Sequence, residues 1–179
     1  MPSNFTIGKT VFKTEKARDR FIKKYTELVS RYGYTASDIE HETRKLTTQF
    51  KKEASFGDAI WSMLMQKSLE IAQQSPVDLT KLSYLYFDKS LFLAESGENP
   101  FQTLQAAQEY LLKDFQQRWT KVRVSSASFG CEHCQEINEK VFTIKDVLKL
   151  KILPNKNCTS NLFKTGKYPW CTCHFVAVP

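Results

Sequence analysis

Cysteine is absent from the first 130 residues of this 179-residue chain, and all five cysteines fall between positions 131 and 173. An odd number confined to one end excludes a disulfide framework as the basis of the fold and points to free thiols or a metal site. No apolar run approaches the roughly 18 residues of a membrane span, and Met1-Pro2-Ser3-Asn4-Phe5 lacks the basic-then-apolar pattern of an export signal. The expectation is therefore a cytoplasmic protein with no membrane partner. Glycine and proline are scarce, six each, whereas there are 13 Phe and 7 Tyr. That balance argues for packed helices over a turn-rich β sandwich, and a hydrophobic fraction of 41% argues against disorder. With 179 residues the chain can bury one good core and a small appended module.

What is present is a cysteine pattern. Cys131-Glu132-His133-Cys134 places two thiols at the mouth of one turn, and Cys158 and Cys171-Thr172-Cys173-His174 follow. Two such groups can complete a tetrahedral sulfur site for Zn²⁺. Gly130, Leu153-Pro154-Asn155 and Lys167-Tyr168-Pro169 punctuate the chain before each group and turn it back toward the first pair. The candidate metal ligands are Cys131, Cys134, Cys158, Cys171 and Cys173. Five sulfurs exceed the four that a closed site needs. Cys171 and Cys173 share a face if extended, so both can reach one ion, or Cys158 can replace either; sequence leaves this open. His133 and His174 are read as neighbouring imidazoles outside the ligand set.

Enzymatic readings fare less well. His41-Glu42 lacks the second histidine of a zinc protease helix, because position 45 is Lys. Pro169-Trp170-Cys171-Thr172-Cys173 does not have the spacing of a zinc deaminase. A thiol redox protein would carry its Cys-x-x-Cys between a strand and a helix of a βαβ unit, which the helical first part does not supply. A metal-dependent nuclease or thiol redox protein stays as a remote alternative, and no catalytic residue is nominated.

The fold expected is mainly α: an N-terminal bundle of about five helices over residues 1–117 and a small C-terminal α+β zinc-binding module over 118–179. Phe5, Ile7, Val11 and Phe12 suit a strand or clasp. Phe21, Ile22, Tyr25, Leu28, Val29 and Tyr32 recur at three and four, which predicts a helix from Thr14 to Gly33. Ser37 and Glu40 read as a capping box for a polar helix to about Lys52, and Asp58 as the cap of a helix with a wide apolar face ending near Pro76. Asp78 or Thr80 opens the fourth helix and Pro100 the fifth; this helical pair is like one tetratricopeptide-type unit, without a second copy. Beyond Gln117 the period changes. Trp119 to Ser125, Lys140 to Phe142 and Cys173 to Val178 read as strands, with a short helix after Thr143.

Charge is uneven on this division. Residues 1–117 hold 16 Lys and Arg against 15 Asp and Glu, whereas 118–179 hold 10 against 4. A basic end suggests phosphate contacts. The candidate nucleic-acid residues are Arg118, Lys121, Arg123, Lys140, Lys145, Lys149, Lys151, Lys164 and Lys167, with Lys156 in addition, and Trp170 and Tyr168 for base stacking. Solubilising charge around a hydrophobic zinc core is the plainer reading. The function expected is a non-enzymatic, zinc-stabilised binding module that contacts nucleic acid, or alternatively an assembly protein whose zinc module presents a protein–protein surface.

Cys131, Cys134, Lys140-Val141-Phe142, Leu153-Pro154 and Cys171-Thr172-Cys173 together resemble the C-terminal cysteine motif of phage minor head, or head-morphogenesis, proteins and related prophage-encoded proteins. The resemblance covers about fifty residues; Thr172 stands where that motif usually has Arg, and Cys158 takes the place of a histidine. It implies a phage or mobile-element origin and an assembly or binding role, with no enzymatic residue to carry over.

Overall fold

The computed structural model describes residues 5–7, 10–126, 131–159 and 170–179, with backbone alone for 5–7, 10 and 11. The described chain is mainly helical with a small C-terminal sheet. It divides into two compact units, Met1–Gln73 and Gln74–Pro179, so the boundary lies well before the residue 117 at which the sequence pattern changes.

In the first unit, β1 (Phe5–Ile7) and β2 (Thr10–Phe12) form an antiparallel pair, with Phe5 opposite Phe12. Helix α1 (Glu15–Ser30) starts where the Thr14 hydroxyl accepts the Ala17 N–H at 3.1 Å. Gly33, at φ +90°, allows the chain to reverse into α2 (Ala36–Phe50). Helix α3 (Phe56–Ala72) follows. Both later helices open on capping boxes that start earlier than the sequence suggested, by two residues at Thr35 with Asp38 and by three at Ser55 with Asp58. Asp58 is thus the third helical residue and its carboxylate reaches back to the Ser55 N–H at 2.8 Å. The cap must itself be extended, and Thr35 and Ser55 adopt that geometry, whereas Ser37 is already helical.

Phe21, Tyr25, Leu28 and Val29 of α1, Ile39 and Leu46 of α2, and Ala59, Ile60, Met63, Leu64 and Ile71 of α3 are all buried. Phe21 meets Phe12 edge-on at 5.2 Å and lies 4.5 Å from Tyr25. The wide face expected of α3 is narrower than its composition suggests, since Met65 and Leu69 are exposed. One carboxylate is buried here, Glu42 of α2. It accepts hydrogen bonds from Ser62 Oγ at 2.8 Å and Gln66 Nε2 at 2.9 Å on α3, and Lys45 Nζ lies 3.1 Å away.

The second unit begins with a helical hairpin, α4 (Leu79–Glu95), capped by Asp78, and α5 (Phe101–Phe115). Then come β3 (Lys121–Ser125), the one-turn α6 (Glu132–Gln135), β4 (Val141–Thr143), α7 (Ile144–Leu150) and β5 (His174–Val178). The strands make an antiparallel sheet in the order β4-β3-β5. Val122 and Val124 of β3 are fully buried, while Lys121 and Arg123, which alternate with them, face out. Ala94 of α4 and Leu104 and Leu112 of α5 belong to the same core as Val122, Val124, Ile144, Val147, Phe175 and four of the cysteines. This shared core explains the boundary. Thirteen strand residues cannot bury themselves, so the last two of the five expected helices serve the sheet as its cover.

The Glu42 network yields a test. Burial disfavours its charge, yet the donors from Ser62, Lys45 and Gln66 prevail and hold its pKa below the usual glutamate value. A carboxyl with a lowered folded pKa adds stability that is present above the unfolded value and lost as pH falls through the folded one. Glu42→Ala should cost about 1–3 kcal/mol at neutral pH by stranding three donors, and the deficit should shrink in acid. Denaturant unfolding of both forms across pH checks it.

Candidate metal centre

The sheet register brings the cysteines together. Strand β5 pairs with β3 so that Ser125 lies opposite His174, the residue next to Cys173. The chain leaves β3 at Ser126, and the β3–β4 connection that begins there carries Cys131 and Cys134 around α6. Glu139 N–H donates to Val124 O at 2.9 Å, Val124 N–H donates to Lys140 O at 3.0 Å, and Ser126 N–H donates to Asn138 Oδ1 at 2.9 Å, which close this connection at its base. Past α7, Lys151 in the left-handed region at φ 52° turns the chain through Leu153-Pro154-Asn155 to Cys158. All three cysteine-bearing segments thus reach one end of the sheet.

Their sulfurs are in mutual contact. Cys131 Sγ and Cys158 Sγ are 3.7 Å apart, Cys134 Sγ and Cys158 Sγ 3.8 Å, and Cys134 Sγ and Cys171 Sγ 3.9 Å. The set resolves into two triads, Cys131-Cys134-Cys158 and Cys134-Cys171-Cys173, each with all its sulfurs within 4.8 Å, and Cys134 belongs to both. Cys134, Cys158, Cys171 and Cys173 are buried; Cys131 is half-buried. None is in a disulfide. Such a group can hold a soft metal ion through thiolates. Neither His133 nor His174 enters it, and His174 is exposed.

The thiols are not electrostatically equal. Burial opposes ionisation of Cys131, but the Thr159 and Cys134 N–H groups and the Cys134 and Cys158 thiols outweigh it and bring Cys131 to about 7. Cys171 is lowered to about 6, first by the Cys173 thiol and, against burial, by the Asn155 N–H at 3.4 Å. Burial pushes Cys134 up, with the neighbouring sulfurs Cys171 and Cys158 adding to it; Cys173 is pushed up first by donating to Cys171 and then by burial. Cys131 and Cys171 are therefore the sulfurs favoured as thiolates, and Cys134 and Cys173 those that hold their protons.

Two residues that the sequence did not single out as functional position the cysteines. Asn155 lies at the centre of the knuckle: its backbone N–H donates to Cys171 Sγ, its Nδ2 donates to His133 O at 3.1 Å, its Oδ1 accepts from Asn157 N–H at 2.9 Å and its carbonyl accepts from Cys158 N–H at 3.0 Å. It touches all three cysteine segments. Its signal was present, an Asn just after Leu-Pro and three residues before a cysteine, where Asx turns form. Gln108 of α5 is buried and donates from Nε2 to Cys173 O at 3.4 Å; a lone Gln on a helix carries no such signal.

The expected nucleic-acid residues fall into different settings. Trp170 is only 4% exposed and meets Phe87 edge-on at 5.5 Å, so its ring is spent on the core and cannot stack on a base. Arg118 lies 3.6 Å from Asp114, Arg123 2.8 Å from Glu139 and Lys151 2.8 Å from Glu109. Lys121, Lys140, Lys145, Lys149 and Lys156 are exposed. Gly130, Lys164, Lys167, Tyr168 and Pro169 lie outside the described residues. Counted by compact unit, residues 1–73 hold 13 Lys and Arg against 9 Asp and Glu, net +4, and residues 74–179 hold 13 against 10, net +3. The basic bias of the cysteine end is halved because residues 74–117, which hold α4, α5 and their flanking loops, bring six carboxylates and three lysines into the same unit.

Metal uptake should release protons, about two per ion at neutral pH, chiefly from the thiols that burial keeps protonated. As pH falls through 7 and then 6, Cys131 and Cys171 also protonate, so the affinity should fall with a steepening slope. Competition with a coloured chelator between about pH 8 and pH 5.5 measures this; in the same assay Asn155→Ala, which keeps the backbone N–H to Cys171 but removes the side-chain bonds to His133 O and Asn157 N–H, should weaken binding by up to about 10-fold, the low end of what a lost supporting contact costs a metal site.

Comparison with known proteins gives no match: no family model fits the chain, and no curated protein and no solved structure is significantly similar to it.

Proposed function

We propose that the protein is a non-enzymatic binding module whose second unit is held together by one structural Zn²⁺. The observation that carries this is the sulfur spacing. A zinc ion bonded to four thiolates at about 2.3 Å separates neighbouring sulfurs by about 3.8 Å, 1.63 times the bond length. The sulfur contacts in the structure are 3.7, 3.8 and 3.9 Å, far beyond the roughly 2.05 Å of a disulfide. Cys134 belongs to both triads, and either triad becomes a four-sulfur set by adding one sulfur of the other; since the sulfurs within 4.8 Å of one another come in threes, the fourth would close in as the ion binds.

A structural role fits better than a catalytic one. Catalytic zinc keeps a position open to water beside histidine or carboxylate ligands, whereas among the described residues both triads consist of cysteine alone and four of the five sulfurs are buried. Magnitudes point the same way. Structural zinc binding contributes about 10–16 kcal/mol of apparent free energy, comparable with the entire 5–15 kcal/mol stability of an ordinary domain. Such an ion would decide whether the second unit is folded.

Of the two partner classes, a protein surface is favoured. The even charge of the units, the ion pairs of Arg118, Arg123 and Lys151 and the buried Trp170 weigh against a phosphate track. The outer face of the sheet mixes Lys121 and Arg123 with Val141, which is 51% exposed, opposite Arg123, and Leu150 at the end of α7 is exposed. Mixed apolar and charged surface of this kind suits a protein partner. An assembly role is also what the likeness of the cysteine tail to phage head-morphogenesis proteins implies.

Removing the ion with a strong chelator under reducing conditions should abolish amide protection in the sheet and around the cysteines while α1 to α3, which draw on a cysteine-free core, keep theirs. Hydrogen exchange read by mass spectrometry separates the two regions, and unchanged protection throughout would refute the structural ion. For the partner class, binding to a labelled random oligonucleotide at about 0.15 M salt should be undetectable; measurable binding whose salt slope drops by about one with each of Lys121→Ala and Lys145→Ala would establish a nucleic-acid surface instead.

A further inference from the structure

One zinc ion uses four sulfurs, and the centre has five. Their arrangement is not a tetrahedron with a distant spare: it is two triangles with one corner in common, Cys131-Cys134-Cys158 and Cys134-Cys171-Cys173. In the first, two edges are 3.7 and 3.8 Å, and in the second the Cys134–Cys171 edge is 3.9 Å. An ion at the middle of a triangle with such edges sits about 2.2 Å from each corner, the edge divided by 1.73, which is a metal–thiolate bond length.

Resting on the reading of the cysteines as a metal centre, we propose that it has a second loading state: two monovalent soft ions, of which Cu(I) is the representative, one in each sulfur triad, with the Cys134 thiolate bridging them. Each triad offers three sulfurs and, among the described residues, no histidine or carboxylate as a fourth donor. A divalent zinc in each triad would need that fourth donor, and the burial of Cys134, Cys171 and Cys173 leaves water poor access to supply it. Cu(I), a closed-shell ion matched to soft thiolates, is content with three. The exchange requires no electron transfer: two Cu(I) enter, one Zn²⁺ leaves, and the proton on the fifth thiol is released. Charge balances, since the two sides each lose and gain two positive charges of metal and the departing proton leaves the fifth sulfur as a thiolate. Thus the centre would take one divalent ion or two soft monovalent ones.

The experiment is an anaerobic titration of the full-length, zinc-loaded protein with Cu(I) delivered from its bicinchoninate complex, followed by native mass spectrometry and by zinc release to a coloured chelator. The expected result is two Cu(I) per chain at saturation with loss of the single zinc. Cys173→Ser breaks only the second triad and Cys131→Ser only the first. Each should halve the copper capacity to one, and Cys173→Ser should still bind zinc through the remaining four cysteines. Saturation of the wild type at one Cu(I), or two Cu(I) retained by both variants, overturns the two-triad proposal while leaving the zinc centre intact. A wild-type protein that takes up neither zinc nor copper overturns the metal centre itself, and with it this inference.

Discussion

Five buried or half-buried cysteine sulfurs in mutual contact are the constraint on which the second unit depends. Thiols at 3.7–3.9 Å tolerate one another as neutral groups, but each one that ionises raises the cost of the next, as the opposed displacements of Cys171 and Cys173 show. A cation reverses that cost. It turns repulsion among thiolates into attraction to a common centre, and because the sulfurs come from the β3–β4 connection, the segment after α7 and the approach to β5, that attraction fixes three chain paths at once.

The two units illustrate different solutions to the problem of a small core. In the first, three helices bury an aromatic and aliphatic interior in which Phe21, Tyr25, Leu64 and Ile71 are almost wholly removed from water, and the one buried charge, Glu42, is matched by three donors. Apolar burial and satisfied polar groups suffice there. In the second, a sheet with strands of five, three and five residues has too little area to close on itself. It borrows α5 on one side and the sulfur centre at its end, so that Val122, Val124 and Phe175 share a core with Cys134, Cys158, Cys171 and Cys173.

The same architecture alters the functional argument. Charge that looks concentrated when the chain is cut at residue 117 is balanced when the cut follows the contacts at residue 73. Surface chemistry belongs to folded units, and a segment's net charge describes a surface only when the segment is such a unit. Trp170 gives the parallel lesson for an aromatic: next to cysteines and lysines it reads as a stacking platform, but its ring is buried, with the exposed Phe87 edge-on against it.

Local chemistry made much of this legible from sequence. The helical spacing of Phe21, Tyr25 and Leu28, the alternation of Val122 and Val124 with charged neighbours, Thr14, Asp78 and Thr143 as helix caps, and the clustering of cysteines all act over a few residues, and each is found in place. The caps of α2 and α3, expected at Ser37 and Asp58, were misplaced by two and three residues because several Ser, Thr and Asp compete near each helix start and backbone geometry chooses among them. Tertiary structure alone decided which core α4 and α5 would cover, that Cys134 would be the corner shared by two sulfur triads, and that Asn155 and Gln108 would brace the cysteine segments. Those outcomes depend on contacts between residues tens of positions apart, as when Gln108 reaches the carbonyl of Cys173, and no periodicity or spacing along the chain encodes which distant partner a given face will meet.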